Sequence, residues 1–167
     1  MSVCIRTAEA ADAADFAYVL CESWKAAYQD LLTPEQLTEN TDLARRTAFF
    51  ERLLPDAGCF LARDGGVPCG ICSVGPERSG ELSGWGEVIS LYTLPAYWGR
   101  GLGRALMDRA LSALAADGYR DVCLWAFEAN VRACRFYEKF EFVKDGARKH
   151  SRFPDVPEIR FRKEGIR

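Results

Sequence analysis

Two stretches of the chain set chemically useful residues at informative spacings. In YWGRGLGRALMDRALSAL, residues 97–114, Gly99, Gly101 and Gly103 stand at alternate positions directly before an alanine- and leucine-rich run. A helix that begins there leaves its first backbone N–H groups unpaired, aimed the same way and backed by the positive end of the helix dipole. Such a turn is a cradle for an anion, phosphate above all. Glycine lets phosphate oxygens close on the amides and adopts turn conformations that a Cβ excludes. Arg100 and Arg104 add positive charge beside the turn, and Leu102 lies within it. Taken alone, the same glycines also suit a helix start that merely needs a tight turn.

Two familiar phosphate loops do not fit. A Walker loop ends in Gly-Lys-Ser/Thr, whereas this chain has Gly103-Arg104-Ala105. A dinucleotide loop needs G-x-G-x-x-G after the first strand, and here the spacing is G-x-G-x-G in mid-chain. Cysteine chemistry is also weakly supported. Cys69 and Cys72 form a C-x-x-C inside the strand-like VPCGICSV, but no second cysteine or histidine pair lies nearby, so core packing is favoured and no metal is expected. The seven cysteines, odd in number and mostly in apolar context, suit reduced thiols in a reducing compartment.

Composition narrows the class further. At 167 residues, 49% of them hydrophobic, the chain is expected to form one domain, residues 1–167, around a sizeable core. Its 22 basic and 24 acidic residues come without blocks of like charge, which argues against nucleic acid or an acidic membrane surface as partner. The opening MSVCIRTAEAADAADF has no basic start followed by an apolar core, and no window approaches a membrane span, so a cytoplasmic protein is expected.

The elements that must position these residues follow from periodicity and caps. A short strand over residues 3–6 precedes a helix with Phe16, Val19, Leu20 and Trp24 on one face. Thr33-Pro34-Glu35-Gln36 opens a second helix with a capping box; it breaks near Asn40 and resumes through Phe49, Phe50, Leu53 and Leu54. Strands over 59–63 and 67–74 join through Asp64-Gly65-Gly66, and a longer strand covers 85–94. The helix after the glycines carries Leu102, Leu106, Ala110 and Ala113 on one face and stops at Asp117-Gly118. A strand over 122–127, a helix over 130–139 and strands over 142–149 and 158–162 complete an α/β chain without repeats or long linkers.

Together, LYTLPAYWGRGLGRAL, residues 91–106, and LWAFEANVRACRFYEKFEF, residues 124–142, resemble the GNAT superfamily of N-acetyltransferases. The likeness is close over residues 85–142. Trp98 departs from it where Gln or Arg is usual, and Glu141 where glycine is usual, which bears on the turn after the helix rather than on the chemistry. The resemblance implies an α/β (α+β) fold: a mixed, mostly antiparallel twisted sheet of about seven strands flanked by about four helices, its fourth and fifth strands parallel and splayed. It implies acetyl-CoA as cosubstrate. The main chain of Leu91, Tyr92 and Thr93 would line the pantetheine arm and residues 99–104 would hold the pyrophosphate. Asn130 would bond the cofactor arm, with Phe136 alongside and Tyr137 near the thioester sulfur.

Acetyl transfer to an amine requires a deprotonated amine, yet a lysine-like amine has a pKa of about 10.4, so a base or proton path is needed. Glu87 lies four residues before Leu91, and in an undistorted strand Glu87, Ile89, Leu91 and Thr93 share one side, which makes Glu87 the candidate base, through a water. Glu128 is a weaker candidate. Where one branch of the family carries a glutamate, five residues before the motif asparagine, this chain has Trp125. Tyr137 is the candidate acid for the leaving thiolate, against a plain packing role. Cysteine-based covalent transfer is disfavoured, because the only histidine, His150, is not paired by sequence with Cys123 or Cys134.

Trp24, Tyr28 and Trp85, with His150, Arg152 and Arg160 farther on, are candidates for the acceptor pocket. The acceptor itself, a small-molecule or peptide amine, is left open. A non-catalytic acyl-CoA sensor or partner subunit is the alternative function, and dimers are a common arrangement for such proteins.

Overall fold

The computed structural model describes residues 2–54 and 58–166. Among these, seven strands, β1 (Val3–Thr7), β2 (Gly58–Asp64), β3 (Val67–Pro76), β4 (Gly86–Thr93), β5 (Val122–Phe127), β6 (Val143–His150) and β7 (Pro157–Lys163), form one sheet in the order β1-β2-β3-β4-β5-β7-β6. Each adjacent pair is antiparallel except β4 and β5, which run parallel as expected. The helices are α1 (Ala13–Tyr28), α2 (Pro34–Asn40), α3 (Leu43–Leu53), α4 (Leu102–Ala116) and α5 (Val131–Lys139). Their number is five rather than about four because the run opened by Thr33 ends at Asn40 and restarts on Asp42. There the carboxylate accepts the Arg45 N–H at 2.8 Å. The Thr33 capping box forms with both of its hydrogen bonds.

The two faces of the sheet bury separate cores. Cys72 faces α4, and Cys69, the extra residue where β3 bulges against Ala62 and Arg63, faces the same way; both pack with Leu106, Met107 and Leu114. Ile71 points the other way, to Phe16 and Val19 of α1. Burying each such side chain is worth roughly 1.5–3 kcal/mol, so both helices are held mainly by their apolar faces. No helix of the described residues is long and apolar enough to cross a membrane.

One local irregularity redirects β4. Ser73 pairs with Ser90 and Val74 with Val88, so Ile89 is an extra residue and the strand bulges there. Parity reverses across it. Val88 and Leu91 both face the α4 side, whereas Tyr92 packs on the α1 side. Glu87 therefore shares its face with Tyr92, not with Leu91 and Thr93 as an undistorted strand would have it.

Two polar devices fix helices that border the cleft. At the foot of α1, Asp12 is 4% exposed and accepts both guanidinium nitrogens of Arg6, at 2.7 and 2.8 Å, the Glu9 N–H and Arg63 of β2. Arg63 also contacts Asp15. At the end of α5, Glu141 takes the left-handed conformation with φ 63°. Its N–H reaches Glu138 O and that of Phe142 reaches Tyr137 O, so the turn usual for glycine forms around a glutamate. The expected effect of Glu141 is thus strain, not a different path.

The Arg6 hydrogen bonds, more than any other influence, hold Asp12 down to about 2. A carboxylate with a depressed folded pKa stabilises the fold above its unfolded value, and loses that contribution as pH falls through the folded one. Unfolding by urea should therefore show about 2 kcal/mol of stability lost between pH 5 and pH 2 that the Asp12→Asn variant does not lose; parallel curves would contradict the clamp. Glu141→Gly should raise stability by about 0.5–1 kcal/mol, left-handed strain of ~1–2 being released against the greater freedom of unfolded glycine. A drop in thermal midpoint would mean that the contact of Lys163 Nζ with Glu141 Oε2, at 3.0 Å, outweighs the strain.

Candidate active site

β4 and β5 are joined by only two residue pairs, Gly86 with Val122 and Glu87 with Cys123, and then part. From Val88 onward the β5 side of β4 has no strand partner. A cleft of about 690 Å³ occupies the gap, walled by β4, β5, α1, the start of α4, α5 and the β6–β7 end.

One end of the cleft is the glycine turn. Gly101 caps α4 with φ 88°, and Gly99 has φ 71°. The first helical donor to find a partner is Ala105 N–H, on Gly101 O at 3.1 Å, so the N–H groups of Leu102, Gly103 and Arg104 precede the helical ladder. Gly103 differs: it has an ordinary helical φ, and a Cβ there would meet the Phe136 ring at 3.4 Å, at van der Waals contact. Gly99, Gly101, Gly103, Arg104 and Phe136 line the cleft, joined by Arg132 and Lys139, which sequence reasoning did not single out. Arg100 turns back onto Ala96 O, and the Leu102 side chain is buried, leaving only its main chain for a ligand. Trp98, at the departing position, donates from Nε1 to Thr93 O at 3.0 Å and stacks under Arg132 at 3.2 Å. It braces the turn instead of reaching into it.

The middle of the cleft holds Leu91, Tyr92, Thr93, Asn130 and Tyr137. Asn130 Oδ1 caps α5 by accepting the Ala133 N–H at 3.2 Å, which leaves its NH₂ for a ligand. Tyr137 packs on Phe136, Phe142 and Phe161. Burial, and next the nearby Tyr92, push its phenol well above the ordinary value. The hydroxyl is held protonated, a donor first and an acid only toward a strong base.

The candidate base is differently placed. Glu87 is 2% exposed and does not line the cleft. Arg78 grips both its oxygens, Nη2 to Oε1 at 2.7 Å and Nε to Oε2 at 3.1 Å, and adds its own backbone N–H at 3.0 Å. Arg78 is the member of the pair that reaches the cleft. Glu128 pairs with Arg148 at 2.7 Å outside it. The carboxylate that does line the cleft is Glu158 of β7, with Lys149 Nζ at 3.5 Å.

At the other end, Trp24 and Tyr28 line the cleft as expected, together with Ser23, Trp125, Arg152 and Phe153. Trp85 does not: it stacks with Arg162 away from the opening. His150 and Arg160 are also outside, although Arg160 backs Trp125 at 5.4 Å. Glu158 and Lys149 were missed because their one signal is membership of two tail strands that pair across from each other. Cys123 and Cys134 lie outside the cleft, and burial pushes the Cys123 thiol up to about 12. Cys69 and Cys72 are buried, their thiols raised by burial to about 11 and about 12.

Residues 19–142 match the acetyltransferase (GNAT) family. An uncharacterised N-acetyltransferase of Mycobacterium bovis is 33% identical over 141 residues, covering 82% of this chain and 86% of its own. Two solved structures share the fold. PaiA N-acetyltransferase of Thermoplasma acidophilum, in complex with coenzyme A, aligns with TM-score 0.75 at 20% identity over 98% of this chain and 99% of its own. A putative acetyltransferase of Salmonella typhimurium, with its cofactor acetyl-CoA, aligns with TM-score 0.71 at 23% identity over 98% and 94%. With the family model matched over residues 19–142 and a relative 33% identical over most of both chains, the chain belongs to the GNAT family of acetyltransferases.

Proposed function

We propose that the chain moves an acetyl group from acetyl-CoA to a primary amine by direct attack. The observation that carries this reading is the conjunction, in one cleft, of unpaired β4 main chain and the N–H groups that precede the α4 ladder. Leu91, Tyr92 and Thr93 offer the edge along which a pantetheine arm would bond. Within the turn from Gly99 to Arg104, the N–H groups of Leu102, Gly103 and Arg104 offer main-chain donors for its diphosphate, with Arg104 and Lys139 as cations. Asn130 has an NH₂ to spare for the arm. When bound, acetyl-CoA supplies an activated acyl carbon with a thiolate leaving group.

The residues divide the proton work as follows. Tyr137 donates a hydrogen bond to the departing sulfur; with its phenol raised above the ordinary thiol value of about 8.5, it stabilises the thiolate by that bond without giving up the proton, and the thiolate leaves as such. Glu87 holds Arg78 at the cleft wall and is a positioning residue, because both its oxygens are occupied. Glu158 takes the proton of the amine, through water, from the acceptor side. Direct attack, with no cysteine intermediate, accords with buried thiols that lie outside the cleft.

Thiol release with acetyl-CoA and an amine panel tests the activity; tight cofactor binding with no release across the panel would point to an acyl-CoA sensor instead. Tyr137→Phe should lower kcat by roughly 10²-fold with the KM for acetyl-CoA nearly unchanged, and an equal loss in both would reduce the tyrosine to packing. Glu158→Gln should abolish the acid limb of the kcat/KM profile, while Glu87→Gln keeps that limb and loses stability. The reverse pattern would return the base role to Glu87.

A further inference from the structure

The acceptor end of the cleft carries an imbalance that acetyl transfer to an amine does not itself require. Two guanidiniums lie over the Trp24 ring: Arg152, which lines the cleft, 5.4 Å from its centroid, and Arg46, which does not, 5.9 Å from it. Neither has an ion-pair partner among the described residues, although the chain as a whole is slightly acidic, with net charge -2. The other cations near this end are matched: Arg78 with Glu87, Lys149 with Glu158, Arg160 with Asp145. Burial, and then the like charge of Arg152, pull the Arg46 guanidinium below its ordinary value; its Nε donates to Asn40 O at 2.9 Å, a neutral partner that leaves the repulsion between the two arginines without a carboxylate to balance it.

A second observation marks the same place. Ser23 Oγ and Trp24 Nε1 are buried polar atoms without a hydrogen bond of normal geometry, on residues 2% and 8% exposed that both line the cleft. An indole N–H can only donate, and an unsatisfied buried donor costs about 1–3 kcal/mol. Donors and uncompensated cations call for an acceptor-rich anionic group. Glu158 of the same cleft supplies the opposite sign of charge, and aromatic rings link the two: Tyr28 packs on Trp24 and on Phe127, which pairs across the sheet with Glu158.

We infer that the acceptor is a small primary amine that also carries an oxyanion, held by Arg152 and the Ser23 and Trp24 donors, with the charge of Arg46 nearby, while its amine faces Glu158. The inference rests on the acetyl-transfer reading for the role of the amine, but the anion subsite can be tested without turnover. Arg152 is exposed, so its replacement leaves the core intact.

Calorimetric titration of phenylacetate and phenyl phosphate should show saturable binding, weakened at least tenfold in Arg152→Gln, with no binding of benzyl alcohol. In turnover, 4-(aminomethyl)benzoate or 4-(aminomethyl)phenyl phosphate should exceed benzylamine at least tenfold in kcat/KM, and whichever is preferred identifies the oxyanion. That preference should collapse to within threefold in Arg152→Gln. Binding of the alcohol as tight as the acids, indifference of the acids to Arg152→Gln, or benzylamine as good a substrate as its anionic relatives would overturn the inference and leave acetyl transfer standing. Anion binding that depends on Arg152, with no thiol released from any amine, would uphold the subsite and overturn acetyl transfer.

Discussion

The structure turns on the separation of β4 from β5 after Glu87 and Cys123. A parallel ladder that continued would satisfy the main chain of both strands and close the sheet; stopping it after two residue pairs leaves hydrogen-bonding groups that something else must meet. The fold holds the gap open from both sides. α1 carries Ser23, Trp24 and Tyr28 to one flank, and α4 and α5 bring the glycine turn and Tyr137 to the other. An extended thioester carrier is the kind of ligand that can complete such an edge as a strand would.

Holding two strands apart requires rigidity elsewhere. The Asp12 clamp ties the foot of α1 to β1 and β2. The Asp145 carboxylate, 4% exposed in its side chain, gathers Arg160 at 2.6 Å and Arg162 at 3.3 Å, and Arg160 reaches on to Glu81 in the β3–β4 loop at 2.5 Å. Buried ionic groups of this kind are costly to break, on the order of 3–5 kcal/mol when one partner is lost. They stand where helix, hairpin and loop must keep register around the cleft.

Much of this could be read in the sequence, for local reasons. Glycines at 99 and 101 imply positive φ, Thr33 and Gln36 imply a cap, and Gly118 implies a helix end, since each signal depends on neighbours only. The site was legible as far as its main chain went. What escaped depends on partners distant in sequence. The bulge at Ile89 is set by the β3 register and reversed the face assigned to Glu87. Arg78 claims that carboxylate through a loop whose path no periodicity encodes. Glu158 enters the cleft only because β7 inserts between β5 and β6, and Trp85 stays out of it because it precedes Gly86 and Glu87, where β4 and β5 are still paired.

The central claim concerns main-chain donors, so it is best tested at those atoms. Titrating coenzyme A into ¹⁵N-labelled protein and following backbone amide resonances should move Gly101, Leu102, Gly103 and Arg104 most strongly, with a second group at Leu91 to Thr93. Saturable binding that leaves these amides in place and shifts resonances elsewhere would contradict the account.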